Sequence, residues 1–412
     1  MSGRQREAYG EKKGFFQYIR SLQVVDYRVI VSVAFLMMFG FLMIYSATNA
    51  EYGTEFVVKQ ILIGGLGILA MIFLSFVNYH LLAKWAGMFY FLSIVSMFLV
   101  RVPGLGVTVN GASRWIMLGP IRFQPSELSK PAVIFLMSFL LVEMGKNVRK
   151  LRGLITAVLP GAFSAVMILY LTRNLSTAII VAGITALMLY VAYPNKKIYI
   201  LMAAAIAVAA VVAYIYFVNV VQQAHLAGND FRAMRILAWL YPNEYLDSSM
   251  QSRYALYAIG FGGILGRGLG HGVMKYYIPE AENDFIFSVI GEELGLVGCA
   301  MVLFLFIYQI WRILVISRHA TDKLGSYLAF GVAAHISLQV LLHIGVVTSV
   351  LPNTGISLPY ISYGGTALLI QLAEIGIVLN ISKQIPGKKI VIQGMGENAL
   401  TDEEAKRKIK AA

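Results

Sequence analysis

The stretch Val29–Tyr45, VIVSVAFLMMFGFLMIY, contains no charged residue. A helix that is apolar all round has to be buried on every side, in a large core or in lipid. Similar runs recur near Phe56–Val77, Leu81–Val100, Pro131–Glu143, Gly153–Leu171, Leu175–Ala192, Ile198–Val218, Phe285–Ile310, Leu324–Leu351 and Gly364–Ile381. The pattern predicts an all-α polytopic integral membrane protein with about ten transmembrane helices. Composition agrees. Of 412 residues, 58% are hydrophobic and 13% charged, against roughly 25% charged in soluble domains, and the mean hydropathy is +0.71.

Charge orients the runs. The net charge of +13 is spread over short connections rather than gathered on one face, which fits membrane sorting and not nucleic acid. One set of alternate connections holds the N-terminal cations Arg4, Arg6, Lys12, Lys13 and Arg20, then Lys84, Lys146, Arg149, Lys150, Arg152, Lys196, Lys197, Arg312, Arg318 and Lys323. The positive-inside rule makes that set cytoplasmic, and both termini with it. The expected organisation is a cytoplasmic tail over 1–26, a transmembrane domain over 27–383 and a cytoplasmic tail over 384–412. A large extracytoplasmic loop is expected between helices 7 and 8. The tail before Asp26 lacks the apolar core of a cleaved leader, so the first helix is expected to stay as an anchor. Cys299 is the only cysteine, so no internal disulfide can form. No inverted or fixed-period repeat is visible, which counts against a repeat-built transporter.

Three outward connections are unusual. VNGASRWIMLGPIRFQPSELSKPA brings Arg114, Trp115, Arg122, Glu127 and Lys130 to one bilayer face, where cations are ordinarily scarce. An interfacial belt would also use Trp115 and the arginines, and Glu127 with Lys130, three apart, could simply pair. QSRYALYAIGFGGILGRGLGHGVMKYYIPEAENDF is dense in glycine and sets Lys275, Glu280, Glu282 and Asp284 at the lip of a span. Asp284 could do chemistry there or merely cap the next helix. LPNTGISLPYISYGGTALL is uncharged, and its prolines and glycines shape a re-entrant turn that needs protein or a wet cavity beside it. Within the spans, Glu292, Glu293, His335, His343 and Glu374 are candidates for polar contacts between helices.

Taken together, SRWIMLGPIRFQPSELSK, QSRYALYAIGFGGILGRGLG, IPEAENDFIFSVIGEELG and LPNTGISLPYISYGGTALL resemble the SEDS family, the FtsW/RodA/SpoVE group of bacterial membrane proteins. The similarity runs from Asp26 to Lys383, and in detail it looks more like the division member than the elongation member. The resemblance implies a ten-helix peptidoglycan glycosyltransferase that uses lipid II, an undecaprenyl pyrophosphate-linked muropeptide, at the outer face of the bacterial cytoplasmic membrane. It implies Asp284 as the catalytic aspartate and substrate contacts at Arg114, Trp115, Arg122 and Lys130, to which Glu127, Lys275, Glu280 and Glu282 are added as candidates. It further implies a class B penicillin-binding protein transpeptidase as partner, among other division or elongation proteins. No metal ligand set stands out, and a divalent cation stays open. One departure is RNLST at Arg173–Thr177, where the family commonly has PDLGT, so Asn174 stands at an acidic position. Two rivals come from other classes. A flippase needs a charged path through several spans, and a scaffold needs none of the outward charges. The gathering of charge at one face favours the enzyme.

Overall fold

The structure, a computed structural model, describes residues 25–109, 112–118, 121–193 and 231–385. In chain order the helices are α1 (Tyr27–Tyr52), α2 (Glu55–Phe76), the short α3 (Tyr79–Lys84), α4 (Ala86–Leu99), α5 (Pro125–Met144), α6 (Leu151–Met167), α7 (Leu175–Ala192), α8 (Phe231–Leu240), α9 (Leu246–Gly262), α10 (Ile286–His319), α11 (Lys323–Val347) and α12 (Gly365–Lys383). Among the described residues, 8 helices are long and apolar enough to cross a bilayer, and Ala86–Leu99 is apolar but shorter. The expected span Ile198–Val218 and nearly all of both tails lie outside the described residues.

The chain is mostly helical, as expected, and carries one small sheet: between α4 and α5, strands β1 (Gly106–Val109), β2 (Ala112–Leu118) and β3 (Ile121–Phe123) form an antiparallel meander. Val107 pairs with Trp115, and Met117 with Arg122. These short segments are rich in β-branched and aromatic residues, which suit a pleated surface. Within the long segment before Asp284, the described residues hold α8 and α9. The span around the apolar run Pro131–Glu143 begins at Pro125, where a proline costs no helical hydrogen bond.

Close helix contacts rest on small residues. A Cβ added at Gly376 on α12 would stand 2.5 Å from the Met71 carbonyl oxygen on α2, and one at Gly67 would stand 2.4 Å from Leu372 Cδ1. The approach of Gly376 to the Met71 backbone is how helices associate without a hydrophobic driving force between them. Polar contacts pin one end of the bundle. Asp26 accepts from Arg28 N and pairs with Arg312, Tyr79 donates to Asp322, and Asn380 Nδ2 donates to the Ser75 carbonyl at 2.8 Å. The sheet, α8, α9 and the 348–364 turn lie at helix ends of the opposite sense.

Helix α10 is broken at Gly295, which sits at φ 65°, ψ −162°. The break is stitched by the glycine-rich connection after α9. Arg267 N and Gly268 N donate to the Glu292 and Glu293 carbonyls at 3.0 and 2.9 Å, while Leu296 N donates to the Gly263 carbonyl at 2.9 Å. All backbone groups at membrane depth need such partners. The same connection is latched by side chains: Gly270 N donates to Glu293, Val273 N and Met274 N donate to Glu292, and Lys275 pairs with Glu293 at 2.6 Å. A Cβ at Gly295 would stand 2.4 Å from Gly266 N, in backbone space that only glycine occupies easily. Gly295→Ala should therefore lose at least the ~1–3 kcal/mol of a strained backbone, read as a lowered thermal midpoint of the detergent-solubilised protein.

Candidate active site

The outward-expected end of the bundle encloses a cavity of about 1070 Å³, counted to its open mouth. Its walls come from distant parts of the chain: Arg114 and Trp115 on β2, Glu127 and Lys130 on α5, Asn174 and Ser176 around the start of α7, Arg235 on α8, Glu280 and Asp284 before α10, Gln339 on α11, and Gly355–Ser357 in the turn before α12. Helices α5, α7 and α12 all begin at this cavity. Their positive ends favour a bound anion. Asn174 accepts from Thr177 N at 3.1 Å, so at this position it caps α7 as an aspartate would, without the charge.

Asp284 is held by its neighbours' backbone. Tyr363 N donates to the Glu282 carbonyl at 2.9 Å, and Ser362 Oγ to the Asn283 carbonyl at 2.6 Å. Asp284 does not cap α10: the cap position is Phe285, with no side-chain cap bond. The bland reading of this carboxylate therefore falls. Burial pushes the Asp284 carboxyl up to about 7, and the charge of Glu280 adds to this, while Arg235 and Arg114 oppose it. A carboxyl near neutrality, partly desolvated and flanked by cations, is poised to take a proton.

Gly355, at φ 69°, forms the wall against it. A Cβ there would stand 2.9 Å from Asp284 Oδ2. Gly355→Ala should both strain the turn and push the carboxylate. A displacement on the order of 1 Å can cost ~10²-fold in rate, so the variant should lose activity well beyond its loss of melting temperature, measured side by side.

Lys130 is buried and pairs with Glu127 at 2.8 Å, and its Nζ also donates to Gln339 Oε1 at 3.0 Å. Both α5 residues line the cavity, as does Trp115. Arg114 reaches the Arg173 carbonyl at 3.4 Å. Three sequence candidates stand elsewhere. Arg122 is exposed on β3, and its carbonyl accepts from Thr366 Oγ1 at 3.1 Å. Glu282 contributes its carbonyl to Tyr363 N and lies beside the cavity, outside its lining. Lys275 belongs to the Glu293 latch, where Ser46 also contacts it at 3.0 Å. Among the described residues, no three or more His, Cys, Asp and Glu side chains gather as a metal-ligand group.

Sequence reasoning missed Arg235 and Gln339. Arg235 donates to the Asn353 carbonyl at 3.3 Å. As another cation on a face that ordinarily excludes them, it carried the same signal as Arg114. Gln339 lies one turn from both His335 and His343, which were noticed.

A family model described as a cell cycle protein, FtsW/RodA/SpoVE, matches residues 27–386. Stage V sporulation protein E of Bacillus subtilis (strain 168) is 34% identical over 370 residues, covering 87% of this chain and 97% of that protein. The probable peptidoglycan glycosyltransferase FtsW of Geobacter sp. (strain M18) is 33% identical over 382 residues, covering 90% and 100%. Among solved structures, a chain of a peptidoglycan synthase complex, described for its coordination of polymerization and crosslinking, superposes with a TM-score of 0.72 at 25% identity, covering 87% of this chain and 98% of that one. The rod shape determining protein RodA of Thermus thermophilus superposes at 0.63 and 23% identity, covering 88% and 98%, and shares the fold.

Proposed function

The chain belongs to the cell cycle protein family of FtsW, RodA and SpoVE, and from that membership we propose that it is a peptidoglycan glycosyltransferase polymerising lipid II at the outer face of the bacterial cytoplasmic membrane. The observation that carries the chemistry is Asp284, its carboxyl raised to about 7, in a cavity lined by Arg114, Arg235 and Lys130. Asp284 takes the proton of the acceptor sugar's 4-hydroxyl as that oxygen attacks the donor's anomeric carbon. The bond from that carbon to the pyrophosphate breaks, and undecaprenyl diphosphate leaves with the electron pair. The cations and the three helix N-termini stabilise the charge that develops on it. Arg122, exposed on β3, suits the rim, where it would meet the lipid headgroup region or the pyrophosphate on entry. Glu280 lines the cavity, and its charge raises the Asp284 carboxyl.

The names of the FtsW relatives favour septal synthesis, and the synthase complex favours a class B penicillin-binding protein as partner. Lipid II supplied to the purified chain, with and without such a partner, should give glycan ladders on a gel. Movement of lipid II across vesicles without ladders would favour the flippase, and neither outcome the scaffold.

Sidedness is tested separately. In a Cys299→Ala background, a cysteine at Tyr277 should label with an impermeant thiol reagent in intact cells, and one at Lys150 should not. The reverse pattern would invert the topology drawn from the cations.

A further inference from the structure

Behind the cavity, α11 carries a polar stripe at one-turn intervals: His335, Gln339 and His343, all buried. Gln339 is the junction. Its Oε1 lies 3.0 Å from Lys130 Nζ, and its Nε2 lies 3.0 Å from the Ser357 carbonyl oxygen. Lysine can only donate and a carbonyl can only accept, so the amide has one admissible orientation. Gln339 Oε1 also lies 2.9 Å from His335 Nε2. That nitrogen must then carry a hydrogen. The other ring nitrogen, Nδ1, lies 2.8 Å from Glu374 Oε2 on α12. Whether the proton between them sits on the ring or on the carboxyl, Nε2–H still points at Gln339. The adjacent His343 Nδ1 lies 2.6 Å from the Ile356 carbonyl oxygen. The stripe therefore holds the carbonyls of Ile356 and Ser357, and with them Gly355, the wall of Asp284.

We propose that Glu374 and His335 are positioning residues: Glu374 holds the His335 ring against Gln339 through Nδ1, and Gln339 in turn fixes both Lys130 and the 355–357 wall of the cavity. Neither residue lines the cavity. The activity arm of this inference rests on the glycosyltransferase reading, and the exchange arm does not.

The test uses the full-length chain in nanodiscs. Glu374→Gln places an amide N–H against His335 Nδ1 and keeps both a partner for that nitrogen and the Nε2–H directed at Gln339. Glu374→Leu leaves Nδ1 without a partner and releases the ring. Hydrogen–deuterium exchange across 353–363 should match the parent in Glu374→Gln and be faster in Glu374→Leu. With lipid II, kcat should fall roughly 10- to 10²-fold in Glu374→Leu, with KM little changed, and be largely retained in Glu374→Gln. If Glu374→Leu does not fold, Gln339→Met cuts the junction and should loosen the same turn. Equal impairment of Glu374→Gln and Glu374→Leu overturns the proposal, as does normal turn protection in Glu374→Leu or Gln339→Met. If the exchange pattern holds but even the parent makes no glycan, the glycosyltransferase reading fails and the relay stands.

Discussion

Asp284→Asn is expected to lower lipid II polymerisation by about 10²–10⁴-fold, the usual contribution of a general base. Expression, membrane insertion and partner binding should be unchanged, because Asp284 caps no helix and the amide keeps its volume. The parent enzyme should show the matching pH profile. The base works deprotonated, and its carboxyl is raised to about 7. Activity should therefore rise with pH through about 7 and be lost below it. Glu280 is a stated cause of the rise, so Glu280→Gln should move that limb to lower pH. Glu282→Gln should have a milder effect, because its charge ranks below Glu280, Arg235 and Arg114 among the influences on Asp284. Near-normal glycan synthesis by Asp284→Asn would remove it as the base.

Lys130→Met is the second large effect, and it comes in two parts. Lys130 and Glu127 form a buried pair at 2.8 Å. Removing one member leaves the other charge without compensation, which costs about 3–5 kcal/mol. The single variant should therefore melt early and make no glycan. Adding Glu127→Gln removes the orphaned charge and should restore most of the stability. If Lys130 also faces the pyrophosphate, the double variant stays inactive although it is folded. A double variant that regains both stability and activity would reduce Lys130 to a partner of Glu127.

The bundle was legible because bilayer-spanning helices leave apolar runs that few other structures produce. Topology came from the cations. The three strands were not legible, because ASRWIML is short and flanked by glycines and a proline, and its arginine was weighed as a headgroup or substrate contact rather than as part of a strand. Helices α8 and α9 were missed for a related reason: an outward segment between spans was taken as one connection. The Gly295 break left no periodic trace, since glycine is common in membrane helices. The spacing of Glu127 and Lys130 allowed the ion pair that the structure shows, and the structure brings that pair and Asp284 to one cavity. Lys275 was drawn in by charge alone, and the structure pairs it with Glu293, a carboxylate the sequence placed inside the span. Distances along the chain could not reveal Gln339, whose bonds reach α5 and the 352–363 turn.

The break in α10 also settles how the chain meets a bilayer of given thickness. Unbroken, its 34 residues would measure about 51 Å, far more than a hydrocarbon core of ~30 Å. Division at Gly295 leaves residues 296–319, about 36 Å long, to match the lipid. The remaining segment begins next to Asp284, and its depth is set by the glycine connection bonded to it. A thicker or thinner membrane is absorbed by tilt of the long half.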